Sequence, residues 1–147
     1  HARLRHVLAM TIALWIAVAA SLAGFALGMK GFFDPRWAGR LVGLQAAPEK
    51  PEGFSELRAT YGGLFAGAHL ASLALCLGAI FIPALVSYAL GACAVLAFAW
   101  IGTAKGRVWS LLFDAIPRTA FAWGSVGFEA VLGLAFAGPW LALALGA

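Results

Sequence analysis

Charge is scarce in this sequence. Charged residues make up 11% of its 147 positions, where a soluble domain carries about a quarter. That shortage excludes an ordinary water-soluble globule. It also excludes a basic nucleic-acid-binding face, because the cations behind the net charge of +4 stand in the connections between apolar runs. Cysteine is scarce as well. Cys76 and Cys93 both lie inside apolar runs, so there is no disulfide framework and no metal spacing, and each is expected to be a small buried hydrophobe. No nucleophile–base–acid set, phosphate-cradling loop or cluster of metal ligands is present. The expectation is no catalytic residue, no metal and no cofactor.

What the chain has instead is apolar length: 63% of it is hydrophobic. A membrane span needs about 20 apolar residues, so four spans with their connections use the whole chain. The reading is an all-α, four-helix transmembrane bundle forming one domain over residues 1–147, with spans at about 7–29, 57–82, 84–103 and 119–145. Arg3 and Arg5 before an apolar run have the look of a signal peptide. The run to Met29 is too long for one and reads as a retained first span.

In the first span, Gly24 and Gly28 form a small-xxx-small pair that lets another helix approach. Asp34-Pro35 then signals a helix start, with aspartate as cap and proline at the first helical position. Arg36 and Arg40 lie one turn apart, and Trp37, Leu41 and Leu44 lie on another face, which suits a short helix in the headgroup layer. In the second span, at about 100° per residue, Ala59, Gly63, Gly67 and Ala71 make a smooth strip for helix packing. Arg58, Tyr61, Phe65, His69, Ser72 and Cys76 gather roughly opposite, and a span with one polar strip buries it against protein. Pro83 closes a tight hairpin into the third span, whose end is marked by Lys105 and Arg107, with Trp100 and Trp109 as interfacial aromatics.

In the fourth span Glu129 lies about eleven residues deep and shares a face with Arg118, which stands at the span's start. Arg58 and His69 are separated by the same eleven residues. A shift of sixty places Arg118 on Arg58, Phe121 on Tyr61, Gly127 on Gly67 and Glu129 on His69. Phe33-Asp34-Pro35-Arg36 also matches Phe113-Asp114 and Pro117-Arg118, so two helical hairpins of the same orientation are one account of the chain.

Most Lys and Arg, namely Lys30, Arg36, Arg40, Lys50, Arg58, Lys105, Arg107 and Arg118, lie on the side of the two long loops. Only Arg3 and Arg5 lie opposite, so the positive-inside rule puts both long loops in the cytoplasm.

The ionisable groups inside the spans carry the functional expectations. An unpaired Glu129 would cost several kcal/mol at its depth, so it is either a proton-handling or ligand-binding carboxylate or a neutral or paired acid that joins helices. His69 has the choice of pairing with Glu129, ligating a metal or pigment, or hydrogen-bonding a neighbouring carbonyl. Pigment ligation is disfavoured by the bulk of Phe65 one turn earlier. Arg58, Tyr61, His69 and Glu129 are the candidates for ligand binding or proton handling. Asp34, Arg107, Asp114 and Arg118 are the candidates for structural ion pairs at the helix ends, with phosphate snorkelling the alternative for Arg58 and Arg118.

Asp34-Pro35, Arg58 with Tyr61-Gly62-Gly63, Gly106-Arg107, Asp114 with Pro117, and Glu129 in the last span together resemble a group of small bacterial four-span membrane proteins catalogued as a domain of unknown function. The resemblance covers nearly the whole chain. It implies a helical bundle in the bacterial inner membrane and implies no activity. Three functions fit these observations: an accessory or structural subunit whose partners are the bilayer and other integral membrane proteins, a small-molecule or lipid-headgroup binding protein or enzyme, and a proton pathway along His69 and Glu129.

Overall fold

The computed structural model describes residues 2–146. The described residues form helices and their connections, with no strand among them. Among the described residues four helical stretches are long and apolar enough to cross a membrane: Arg3–Phe33, Gly53–Phe81, Pro83–Phe113 and Ala120–Leu145. The chain is thus a multi-pass, all-helical membrane protein, as its composition requires. Large apolar side chains such as Phe81 and Phe98 stand exposed, where lipid rather than water is the compatible solvent.

Among the described residues six α-helices follow in order: α1 Ala2–Phe33, α2 Pro35–Val42, α3 Gly53–Arg58, α4 Phe65–Phe81, α5 Val86–Phe113 and α6 Ala120–Gly146. A π-helical segment, Ala59–Leu64, joins α3 to α4, and a short 3₁₀ turn, Pro83–Leu85, leads into α5. The third span therefore reaches ten residues beyond the expected end at 103. Lys105 and Arg107 do not stop the helix, which contains no proline to break it before Phe113.

Contacts within the chain gather into two compact units. One is Ser21–Ala74, which holds the second part of α1, then α2, α3, the π segment and the first part of α4. Its packing rests on close backbone approach. A Cβ on Gly28 would strike the Ala66 backbone, one on Gly31 the Tyr61 carbonyl oxygen, and one on Gly62 the Phe32 backbone. The buried positions Leu57, Gly62, Ala66, His69 and Ser72 begin with a five-residue step that the π segment supplies. A constant helical period misses that step. It accounts for Tyr61 and Arg58 standing exposed while His69 and Ser72 are buried.

α2 begins as expected: the Asp34 carboxylate accepts the Trp37 backbone N–H, Pro35 follows, and Gly43 closes the helix at φ 72°, a left-handed turn that glycine adopts without strain.

The second unit is His1–Ala20 with Leu75–Ala147. Here Gly133 of α6 lies against Ile101 of α5, where any Cβ would overlap the isoleucine side chain. Trp100 is buried and meets Phe128 edge-to-face at 5.8 Å, so it is a core residue and not an interfacial one. Trp140 donates its indole N–H to the Leu90 carbonyl at 2.9 Å, next to the buried Pro139 inside α6. The buried Cys76 and Cys93 thiols lie in hydrogen-bonding contact, sulfur to sulfur at 3.4 Å, and form no disulfide.

Candidate functional site

In the Leu75–Ala147 part of its unit, the pitch of α5 and α6 brings Arg107 to Glu129. The guanidinium Nε donates to Oε1 and Oε2 at 3.0 and 3.1 Å, and Nη2 donates to Oε1 at 2.6 Å. The Glu129 side chain is 6% exposed and that of Arg107 35%. A carboxylate so deep in an apolar helix is tolerable only beside a cation whose fork matches it. Taken up in this way, Glu129 joins α5 to α6. Acting as a base would require parting it from the arginine.

In the Ser21–Ala74 unit, His69 is 1% exposed. Its Nδ1 lies 2.8 Å from the Phe65 carbonyl oxygen, which can only accept, so the proton sits on Nδ1 in this contact. The Phe65 ring lies 4.4 Å away, centre to centre. Gly24 faces the imidazole so closely that a Cβ there would overlap the ring. Beside it the Ser21 and Ser72 hydroxyls meet at 3.0 Å. This is a filled niche.

The candidates at the helix ends are arranged differently from an ion-pair cluster. Arg58 Nε donates to the Phe32 carbonyl at 2.9 Å, near the end of α1. Arg118 Nε donates to the Leu111 carbonyl at 2.8 Å, near the end of α5. Among the described residues the salt bridges are Lys30–Asp34, at 3.1 Å, and Arg107–Glu129, so Arg118 and Asp114 do not form the expected ion pair. The last carbonyls of a helix lack intrahelical donors, and the arginine that opens the next span supplies them. Asp114 instead accepts from the Ser110 hydroxyl one turn earlier. Asp34 accepts from Lys30, also one turn earlier. The Trp37 N–H, then Lys30, hold the Asp34 carboxyl below the usual carboxylate range. The two spans separated by sixty residues therefore start in the same way, with Arg58 and Arg118 each closing the preceding helix.

The small strip Ala59, Gly63, Gly67 and Ala71 is exposed throughout. A Cβ built on Gly67 meets nothing within 4 Å. Packing within the chain uses Gly24 and Gly28 from α1, but Gly62 and Ala66, not that strip, from the second span. Among the described residues no three metal-ligating side chains gather.

The partnership of Arg107 with Glu129 had no signal in the spacing, because Arg107 looked like a residue past its helix end. The roles of Gly31 and Gly62 were equally hidden, since neither falls in the four-residue rhythm of its neighbours. Comparison of the chain with known protein families, with characterised proteins and with solved structures finds no match.

Proposed function

We propose that the chain is a non-enzymatic accessory subunit of a larger bacterial membrane assembly, of the small four-span kind its motifs resemble. The observation that carries this reading is the outward strip Ala59–Gly63–Gly67–Ala71. About three turns of smooth helix surface lie exposed on the second span, while that helix packs within its own unit through Gly62 and Ala66. In lipid, small residues favour helix contacts because they let backbones approach closely, and among the described residues this surface stands exposed. The main ionisable group of the spans points the same way, since Glu129 is engaged by Arg107 as a fastening between helices. The bacterial cytoplasmic membrane, with both long loops in the cytoplasm, completes the reading.

The test is extraction in a mild detergent followed by mass measurement under native conditions. A particle heavier than the 15.3 kDa chain, containing a second integral membrane protein in fixed ratio, is the expected result. A chain that isolates alone in every mild detergent contradicts it.

A further inference from the structure

Between α2 and α3 lies an open groove of about 240 Å³. Arg36 and Arg40 line it from α2, Leu44 and Gln45 from the turn that follows, and Phe54 and Leu57 from α3. The groove exists because Gly39 lets the chain fold back tightly: a Cβ there would strike the Leu44 carbonyl oxygen and crowd Leu57. The Arg36 guanidinium carbon stands 5.4 Å from the centre of the Phe54 ring, which holds one cation against the wall by its attraction to the ring face.

No carboxylate lines this groove. Among the described residues neither arginine belongs to a salt bridge, and the nearby Asp34, whose charge Arg40 feels only at a distance, is hydrogen-bonded by the Trp37 N–H and by Lys30. Two like charges one turn apart on a helix repel each other, and an anion between them would relieve that repulsion. The guanidinium forks match phosphate oxygens, the Gln45 amide adds a donor, and Leu44, Phe54 and Leu57 offer an apolar wall. α2 starts two residues after the first span ends at Phe33 and exposes Leu41 and Val42, which suits the headgroup layer.

We propose that this groove is a binding site for a phosphate oxyanion, with the ester phosphate of an anionic phospholipid and free inorganic phosphate as its two possible sources. The site is independent of the accessory role and stands or falls separately from it.

The full chain, purified in mild detergent and stripped of lipid, is titrated with phosphatidylglycerol or with inorganic phosphate. Binding is read from the thermal unfolding midpoint and from adducts in native mass spectra. The variants are R36Q/R40Q and, as a control of equal charge loss, R3Q/R5Q. Phosphatidylglycerol is expected to bind the wild type and R3Q/R5Q alike and to bind R36Q/R40Q at least about tenfold more weakly, the scale of a lost charge-assisted hydrogen bond. Inorganic phosphate binding with the same dependence on the arginines, without phosphatidylglycerol binding, supports the site and assigns it to the free anion. Binding of neither, equal binding by R36Q/R40Q, or an equal loss in R3Q/R5Q overturns the proposal. If R36Q/R40Q does not fold, R40Q takes its place, with severalfold weaker binding expected and unchanged binding overturning the site.

Discussion

Arg107 of α5 and Glu129 of α6 hold one another through a fork of three N–H···O contacts between 2.6 and 3.1 Å. The acid is almost fully buried and the arginine about one-third exposed. Removing one partner leaves the other uncompensated, so E129Q and R107Q should each lower stability by about 2 kcal/mol. That is less than the 3–5 of a fully buried pair, because water reaches the arginine. An R107M/E129L double variant should recover most of the loss. Unfolding in detergent by heat or denaturant, arranged as a double-mutant cycle, checks this, and additive losses would remove the pairing.

Gly62 and Gly67 are five residues apart and in opposite situations. A Cβ on Gly62 would lie 2.5 Å from the Phe32 Cα, whereas one on Gly67 meets open space. Gly62→Ala should therefore cost about 1–3 kcal/mol through overpacking, and Gly67→Ala should leave the folded chain as stable or slightly more stable. Thermal midpoints of the two variants in the same detergent decide the matter.

Arg58 and Arg118 close the ends of α1 and α5 in the same manner. Each substitution to alanine frees helix-end carbonyls, and Arg118→Ala should be the more damaging, because its bond to Leu111 is part-buried and that of Arg58 to Phe32 is exposed. A loss of about 1–2 kcal/mol for Arg118 and less for Arg58 follows from the usual worth of a charged donor on a carbonyl. Hydrogen exchange at the last turns of α1 and α5 should rise locally in each case.

Asp34 caps α2 with a carboxyl whose pKa is depressed in the folded chain. A depressed carboxylate stabilises the fold above its unfolded pKa, and that stability is lost as pH falls through the lower, folded value. The wild type should therefore exceed Asp34→Ala in stability by a constant margin at neutral pH, and the margin should shrink only below about pH 4. A margin that grows on acidification would contradict the cap.

Much of the fold was legible because it follows from solvent. Too little charge and too many long apolar runs admit only helices that span lipid, and Asp34-Pro35 and Pro83 punctuate them with local chemistry. The facing of the second span was legible only in part: His69, Ser72 and Cys76 are buried together as their shared face implies, but Arg58 and Tyr61 stand exposed, because one π turn breaks the constant period on which facing arguments depend. The third span is longer than its sequence suggests, because Lys105 and Arg107 resemble residues beyond a helix end yet lie within α5, which runs to Phe113. Arg107 is in fact helical and committed to Glu129. Burial of a charge tells that a partner is needed, but which helix supplies it depends on packing that no local spacing records. Gly24 and Gly28 form a pair that spacing reveals, whereas their companions Gly31 and Gly62 matter only through the backbones they meet, Tyr61 and Phe32.

The central functional claim is that the exposed face of small residues on the second span receives another membrane protein. Gly67→Leu places a large side chain in open space on that face and should not disturb the fold. Native mass measurement after mild extraction should show the wild type in a larger assembly and Gly67→Leu as the lone chain, with equal helix content by circular dichroism. An assembly that persists unchanged in Gly67→Leu, or a wild type found only by itself, would contradict the account.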